Sequence, residues 1–263
     1  MLHPPQLFLI PTPLGKTPAN NSLPPDVIRQ IHELDTFFVE SIPSARSFLQ
    51  WIEHPVPEYE LKLYLLNKKT SPKEIPELLE TVMTNGRAGM FSEAGAPAVA
   101  DPGAELVRQA HKQGIIVTPL VGPSSITLAL MASGGNGQQF TFHGYLPRNS
   151  EKLKKELNRI EKSARSDGYT HLFMETPHRT PQLWKELLAT LQPDTYLGIG
   201  QNLTLPAEYT SAKEVMMWQV DTPEMPADPA IFFIYRNPET RIYRKSQSFS
   251  RKKKNSKKGK GRK

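Results

Sequence analysis

The chain of 263 residues contains no cysteine. This absence excludes a disulfide framework, an iron–sulfur cluster, a thiolate zinc site and a cysteine nucleophile. Long apolar runs are also missing, since none approaches the roughly 18 residues that a membrane-spanning helix needs. The apolar run at residues 7–10 lacks the basic start and the cleavage site of a signal peptide. We therefore expect a soluble, cytoplasmic protein.

The common nucleotide and hydrolase signatures are missing as well. The chain has no G-x-x-x-x-G-K-[ST] phosphate loop and no G-x-S-x-G nucleophile elbow. Gly198 and Gly200 follow a strand pattern, but the third glycine of a dinucleotide fingerprint is absent. The seven histidines are scattered without metal-ligand spacing, so we predict no metal site.

Acidic side chains are missing from the basic C-terminal tail. Residues 241–263 hold 12 of the 33 Lys and Arg residues and no Asp or Glu. Residues 1–240 contain 21 basic and 26 acidic side chains, which gives a formal charge of −5. The tail has too little apolar content to fold alone. It is either a solubilising or general polyanion-binding segment, or an arm that docks on RNA phosphates.

Strand and helix patterns alternate along the rest of the chain, which predicts an α/β fold with a largely parallel sheet. We expect an N-terminal α/β domain at 1–118, a C-terminal α/β domain at 119–240 and a disordered basic tail at 241–263. The predicted strands are 6–10, 36–39, 88–91, 115–120, 140–144, 171–174, 196–200 and 230–235. The predicted helices are 26–34, 44–51, 71–85 with a capping box and a terminating Gly86, 102–114 capped by Asp101, 126–132, 150–164 and 180–191.

Three loops rich in small residues follow predicted strands, at 11–15, 92–103 and 121–125. In a parallel sheet, the loops at the carboxyl ends of strands bind ligands. Small residues let the backbone approach a ligand closely, and the helix start after Gly122 offers free N–H groups and two hydroxyls to a carboxylate or phosphate. Tight strand-to-helix turns would explain each loop equally well.

Five segments, at 7–15, 92–103, 119–124, 142–148 and 175–179, match one family in order and spacing. On these motifs the chain resembles the tetrapyrrole methylase family of S-adenosylmethionine-dependent methyltransferases. Within the family it is most similar to the branch that methylates a cytidine ribose 2′-hydroxyl of small-subunit ribosomal RNA. The resemblance covers residues 6–235 and excludes the basic tail.

The resemblance implies two α/β domains with S-adenosylmethionine in a cleft between them, and a homodimer. It assigns cofactor contacts to Pro11, Glu93, Ala94, Gly95, Ala96, Ser124, Ser125, Gln201, Pro229 and Ala230. An alcohol acceptor must lose a proton, and Glu40, Glu175 and His178 are the predicted base or acceptor-orienting groups. Arg148 and Arg179 are predicted to bind a phosphate or carboxylate of the substrate. A capping and ion-pair cluster is the alternative role for Glu175, His178 and Arg179.

The sequence departs from the pattern of that branch at three places. Glu40-Ser41-Ile42-Pro43 replaces Glu-Asp-Thr-Arg, with Arg46 a little later, Glu93 replaces an aspartate, and 201–205 replaces Arg-Glu-Leu-Thr-Lys without its charges. Three hypotheses follow: an RNA methyltransferase, a methyltransferase for a small acceptor such as a tetrapyrrole, and a silent RNA-binding relative.

Overall fold

The computed structural model describes residues 4–16 and 22–236. The described residues divide into two compact units, one formed by those up to 128 with 202–208, the other by 129–201 with 209–236. The division falls inside a helix, ten residues after the predicted boundary between residues 118 and 119. The basic tail predicted at 241–263 lies outside the described residues. Within the described ranges, no helix is long and apolar enough to cross a lipid bilayer.

The first unit is built around a sheet of five parallel strands in the order β3-β2-β4-β1-β5. Its elements are β1 (Gln6–Leu9), α1 (Pro25–His32), β2 (Thr36–Val39), α2 (Ile42–Trp51), β3 (Lys62–Leu65), α3 (Ile75–Asn85), β4 (Arg87–Phe91), α4 (Ala104–Lys112) and β5 (Ile116–Pro119), followed by α5 (Ser125–Ser133), which crosses the division. A short 3-10 helix occupies Glu58–Glu60.

Helices cover both faces of this sheet. Along β2, Phe37 and Val39 pack with α1 and α2, whereas Phe38 packs with α3 and α4 on the other face. The alternation follows from the two-residue period of a strand. Burial on both faces explains why the inner strands β1, β2 and β4 are mostly apolar.

The second unit contains a mixed sheet in the order β6-β7-β10-β8-β9. Its elements are β6 (Phe140–Tyr145), α6 (Ser150–Asp167), β7 (Thr170–Glu175), a 3-10 helix at Pro177–Arg179, α7 (Thr180–Thr190), β8 (Thr195–Gln201), β9 (Tyr209–Glu214), α8 (Val215–Val220) and β10 (Ala230–Arg236). Only the β6–β7 pair is parallel, so the prediction of a largely parallel sheet is wrong for this unit. The error arises partly because β9 was not predicted. In addition, β10 runs antiparallel to β7 and β8, so it is not reached by the right-handed crossover that joins parallel strands.

The core of the second unit lies between the sheet and helices α6, α7 and α8. Trp184 and Trp218 meet edge to face with their ring centroids 5.0 Å apart, and the Trp218 indole N–H donates to the Leu197 carbonyl at 2.8 Å. On β8, Gly198 is paired with Phe233 of β10, and a Cβ at Gly198 would overlap the Phe233 ring. This glycine makes room for an aromatic ring and has no nucleotide-binding geometry.

Two predicted helix starts are corrected by the structure. The capping contacts at Ser71 form, since the Glu74 carboxylate accepts from the Ser71 N–H at 2.8 Å, but residues 72–74 are a turn and α3 begins at Ile75. Asp101 does not cap α4, which begins at Ala104 after Gly103. The glycine's φ of 124° turns the chain away before the helix starts, so the Asp101 carboxylate is left for another role.

Candidate functional site

In the first unit, the predicted loops meet at the carboxyl edge of the parallel sheet. β1 pairs with both β4 and β5, so the segments that follow these three strands are neighbours. Thr12 and Gly95 exchange backbone hydrogen bonds of 2.9 and 3.0 Å, and the Thr12 hydroxyl donates to the Ser92 carbonyl at 3.1 Å. These bonds fix the first loop against the 92–96 segment.

The third loop, at 121–125, packs directly against the first loop, at 11–15, because Gly122 has no side chain. A Cβ on Gly122 would lie 2.5 Å from the Pro11 Cβ, so only glycine allows this approach. Ser124 and Ser125 stand at the start of α5, where the Ser124 carbonyl accepts from the Leu128 N–H at 3.0 Å. The structure thus brings Pro11, Gly95 and the two serines to one edge.

Glu40 and Glu93 also lie at this edge, because β2 pairs with β4. The Ser44 hydroxyl donates to the Glu93 carboxylate at 2.6 Å, and the Glu93 N–H donates to the Glu40 carboxylate. Burial raises the pKa of Glu40, and the charges of Asp101 and Glu93 raise it further. Sequence reasoning missed Ser44, because it meets Glu93 only once the two strands pair.

The departure after Glu40 has a local explanation. Ser41 is the N-cap of α2, and its hydroxyl oxygen accepts from the Ser44 N–H at 3.4 Å. Arg46 forms a half-exposed ion pair with Glu58 at 2.9 Å. The helix start is therefore intact in this chain, although the charged residues of the related pattern are gone.

In the second unit, three predicted residues share one sheet position. Ala230, the first residue of β10, is paired with Glu175 at the end of β7 and with Gln201 at the end of β8. Gln201 donates its amide to the Pro226 carbonyl at 3.2 Å. Its amide oxygen is buried and has no hydrogen-bond partner among the described residues. Pro229 precedes Ala230 and is exposed.

The Glu175 carboxylate is fully buried and engaged in contacts within its own unit. It accepts from the Thr176 N–H at 2.7 Å and from the Thr176 hydroxyl at 3.1 Å, and it pairs with the Arg179 guanidinium at 3.2 Å. This geometry favours the ion-pair role that the sequence left open. His178 is exposed in the same 3-10 turn, and Arg148 is exposed after β6. Nothing in the described contacts joins His178 or Arg148 to Glu175, and the predicted roles of all these residues stay predictions.

Residues 7–214 match the family model of tetrapyrrole (corrin/porphyrin) methylases. The chain belongs to the tetrapyrrole methylase family. The family resemblance predicted from five motifs is thereby confirmed, and membership implies a methyl donor. Solved structures share the fold: the methyltransferase CobJ superposes with a TM-score of 0.56 at 17% identity, covering 88% of this chain and 99% of its own. A cobalt precorrin-4 methyltransferase superposes with a TM-score of 0.52 at 15% identity, covering 88% of this chain and 94% of its own.

Curated relatives of this family member carry the name ribosomal RNA small subunit methyltransferase I. The protein of Thermotoga maritima is 29% identical over 201 residues, which cover 76% of this chain and 83% of that protein. The Leptospira biflexa protein is 30% identical over 198 residues, covering 75% of this chain and 77% of its own. The Vibrio cholerae protein is 28% identical over 200 residues, and this chain spans only 65% of its length.

Proposed function

We propose that the protein is an S-adenosylmethionine-dependent methyltransferase that acts on ribosomal RNA, at a ribose 2′-hydroxyl. The proposal rests mainly on the relatives, which carry one ribosomal RNA methyltransferase name over about three quarters of this chain. A tetrapyrrole acceptor is less supported, because the solved tetrapyrrole enzymes share the fold at only 15 to 17% identity.

The surface of α6 supports an RNA partner. Lys152, Lys155, Arg159 and Lys162 are exposed at helical spacing along about 15 Å of α6. They lie opposite the buried face of Leu153, Leu157, Ile160 and Ala164. Only Arg159 of these four forms an ion pair among the described residues, with Glu156. A cationic stripe on an otherwise acidic body suits the phosphates of RNA.

Each unit, taken by itself, contains residues that suit a sulfonium methyl donor. In the first unit, Glu40 and Glu93 at the carboxyl edge of the sheet supply negative charge that favours a cationic ligand. In the second unit, the buried Gln201 oxygen can accept from an amino group. When bound, S-adenosylmethionine would supply the activated methyl group.

Glu40 is the best placed of the three proposed bases. Its carboxylate is partly exposed, and its raised pKa brings it closer to that of an effective general base at neutral pH. It would accept the hydroxyl proton of the acceptor while the loops hold the acceptor oxygen in line. Glu175 would instead hold Arg179 in position through the buried ion pair.

Methyl-labelled S-adenosylmethionine tests the function with the full chain and with RNA from cells lacking the protein. We expect label in a ribonuclease-sensitive, protease-resistant fraction, released as a 2′-O-methylated nucleoside. Label in small molecules would move the acceptor to a tetrapyrrole-like compound. Binding of the donor, measured by calorimetry, without label in any fraction would indicate a silent RNA-binding relative.

We also propose that the protein is a homodimer, as the family resemblance implies. Met131 on α5 supports this proposal, because this apolar side chain is 74% exposed.

A further inference from the structure

A cavity of about 370 Å³ opens in the first unit beside the predicted cofactor loops, yet none of the residues assigned to the cofactor lines it. Its walls come from the segment after β3 and from the residues that lead into α4. Pro72, Ala100 and Pro102 supply accessible apolar surface, and Lys68 and Asp101 supply opposite charges. The volume is within the range of pockets that bind small organic ligands, about 300–1,000 Å³.

The cavity is lined by two acidic side chains, Asp101 and Glu105, and one basic side chain, Lys68. Burial raises the pKa of Asp101, contact with the Ser92 side chain and the charge of Lys68 lower it, and the charge of Glu93 raises it. Lys68 also lowers the pKa of Glu40, so its ammonium acts on both carboxylates. The remaining acid of the lining, Glu105, is engaged by Arg108 at 2.5 Å and so is not free for a ligand.

The loop that carries Asp101 has an unusual backbone. Ala98 and Ala100 have φ values of 63° and 65°, a region that costs non-glycine residues free energy. A Cβ on Gly103 would lie 2.6 Å from the Met90 sulfur, so the loop is pressed against β4. At one end of this loop Gly95 forms the backbone bridge with Thr12, and at the other end Asp101 lines the cavity.

We propose that this cavity receives one ribonucleotide of the RNA acceptor, with the ribose hydroxyls donating to Asp101 and a phosphate paired with Lys68. This inference rests on the proposed function and names the acceptor site. A carboxylate accepts from neighbouring hydroxyls, and an ammonium binds phosphate as a point charge. The apolar side chains of Pro72, Ala100 and Pro102 offer a surface for a base. The shared 92–103 loop places the acceptor next to the predicted donor loops.

Direct binding of 5′-cytidine monophosphate, its 2′-deoxy analogue and cytidine to the full chain tests the site, with nuclear magnetic resonance titration as the readout. We expect the ribonucleotide to bind more tightly than the other two. Asp101→Asn should weaken ribonucleotide binding at least tenfold and remove the preference over the deoxy analogue. Lys68→Gln should remove the preference over cytidine. The adjacent Lys69→Gln, an exposed lysine outside the cavity, is the matched control and should leave all three affinities unchanged.

The affinity for S-adenosylmethionine, measured by calorimetry on the same variants, separates donor from acceptor. We expect it to be unchanged, and a tenfold loss in Asp101→Asn would assign the cavity to the donor and overturn the proposal. Equal nucleotide binding in Lys68→Gln and Lys69→Gln would also overturn it. Methylation of RNA by both cavity variants with unchanged KM would reject the site while leaving the proposed function intact. Binding that depends on Asp101, without methylation of RNA, would reject the function and keep the site.

Discussion

Glu40, the proposed base, carries a charge that is unfavourable for folding. Its carboxylate lies near Asp101 and Glu93, and both charges, together with burial, raise its pKa. The folded chain therefore holds a proton at Glu40 more tightly than the unfolded chain does. It follows that the ionised form, which a base requires, is unfavourable for folding, and this contribution lowers the free energy of unfolding as pH rises.

Replacing Glu40→Gln should reduce methyl transfer about 100-fold and raise the free energy of unfolding by about 0.5–1 kcal/mol at pH 7. The gain in stability should shrink toward pH 4, where the wild-type carboxyl is protonated. Single-turnover assays and urea denaturation at both pH values measure the two effects. Glu58→Gln, on the exposed pair with Arg46, is the control. A Glu40→Gln protein with full activity would show that Glu40 is not the base.

Gly198→Ala should destabilise the second unit by about 2–3 kcal/mol, because the new methyl group overlaps the Phe233 ring on the paired strand. Thermal unfolding followed by circular dichroism measures the loss. Gly137→Ala is the matched control, since a Cβ there has no neighbour within 4 Å. Adding Phe233→Leu to Gly198→Ala should recover part of the loss, and no recovery would contradict the steric cause.

At the scale of the element, the basic face of α6 should govern how tightly RNA binds. Replacing Lys152, Lys155 and Lys162 by Gln should weaken RNA binding roughly tenfold at moderate salt and reduce the slope of log K against log salt by about 2. Filter-binding titrations at several salt concentrations measure both quantities. The matched control replaces Lys73, Lys112 and Lys185, which are exposed on other elements. An equal loss in both triple variants would mean that only the net charge matters.

The strand pair β6–β7 contains a histidine contact that should make stability depend on pH. The rings of His143 and His171 stack, with nitrogens 2.9 Å apart, and burial together with the charges of His171 and Arg159 lowers the pKa of His143 to about 4, against a smaller opposite effect of Glu156. His171 is itself buried near Asp167. Since the unfolded chain binds a proton at His143 near pH 6.5, stability should fall as pH decreases from 6.5 to 4.

His143→Gln should flatten that dependence between pH 6.5 and 4, as measured by urea unfolding at a series of pH values. His111→Gln, an exposed histidine on α4, is the control and should leave the dependence unchanged. A pH dependence identical in wild type and His143→Gln would assign the acid sensitivity to other groups.

Elements with a strong pattern and a cap could be predicted from the sequence. The strand Thr36–Val39 has the predicted bounds, and α6 begins at the predicted residue Ser150, after the cap Asn149, whose side chain accepts from the Lys152 N–H at 3.1 Å. The strands β3 and β9 were not predicted, because both lie at the edge of a sheet. β3 is short and β9 is polar, and both bury too little surface to show an alternation of apolar and polar residues. Edge strands are defined by their partners more than by their own side chains.

Part of the candidate site could be predicted from the sequence, and part could not. The loops at 11–15, 92–103 and 121–125 could be predicted because small residues follow apolar strands. Lys68 could not, because it acts on Asp101 and Glu40 only once the unpredicted strand β3 pairs with β2. Asp101 was expected to cap a helix, since the sequence gives no sign that Gly103 redirects the chain first.

At the scale of the whole molecule, the apolar surface of α5 should hold two copies together. Met131→Glu should convert a dimer to a monomer in light scattering at micromolar concentration, because a charge would be buried in the interface. Met83→Glu is the control, an exposed methionine at 50% on α3. A wild-type chain that is monomeric at the same concentration would contradict the proposed homodimer.

The first unit takes its last segment, 202–208, from far along the chain. A Cβ on Gly15 would lie 2.7 Å from a methyl group of Leu205, so the first loop is packed by a residue about 190 positions later. During synthesis at about 5–20 residues per second, the Pro-rich loop waits roughly 10–40 s for that contact. The nascent chain therefore contains all five parallel strands of the first unit long before the predicted cofactor loop at 11–15 meets its packing partner Leu205, which is translated after most of the second unit.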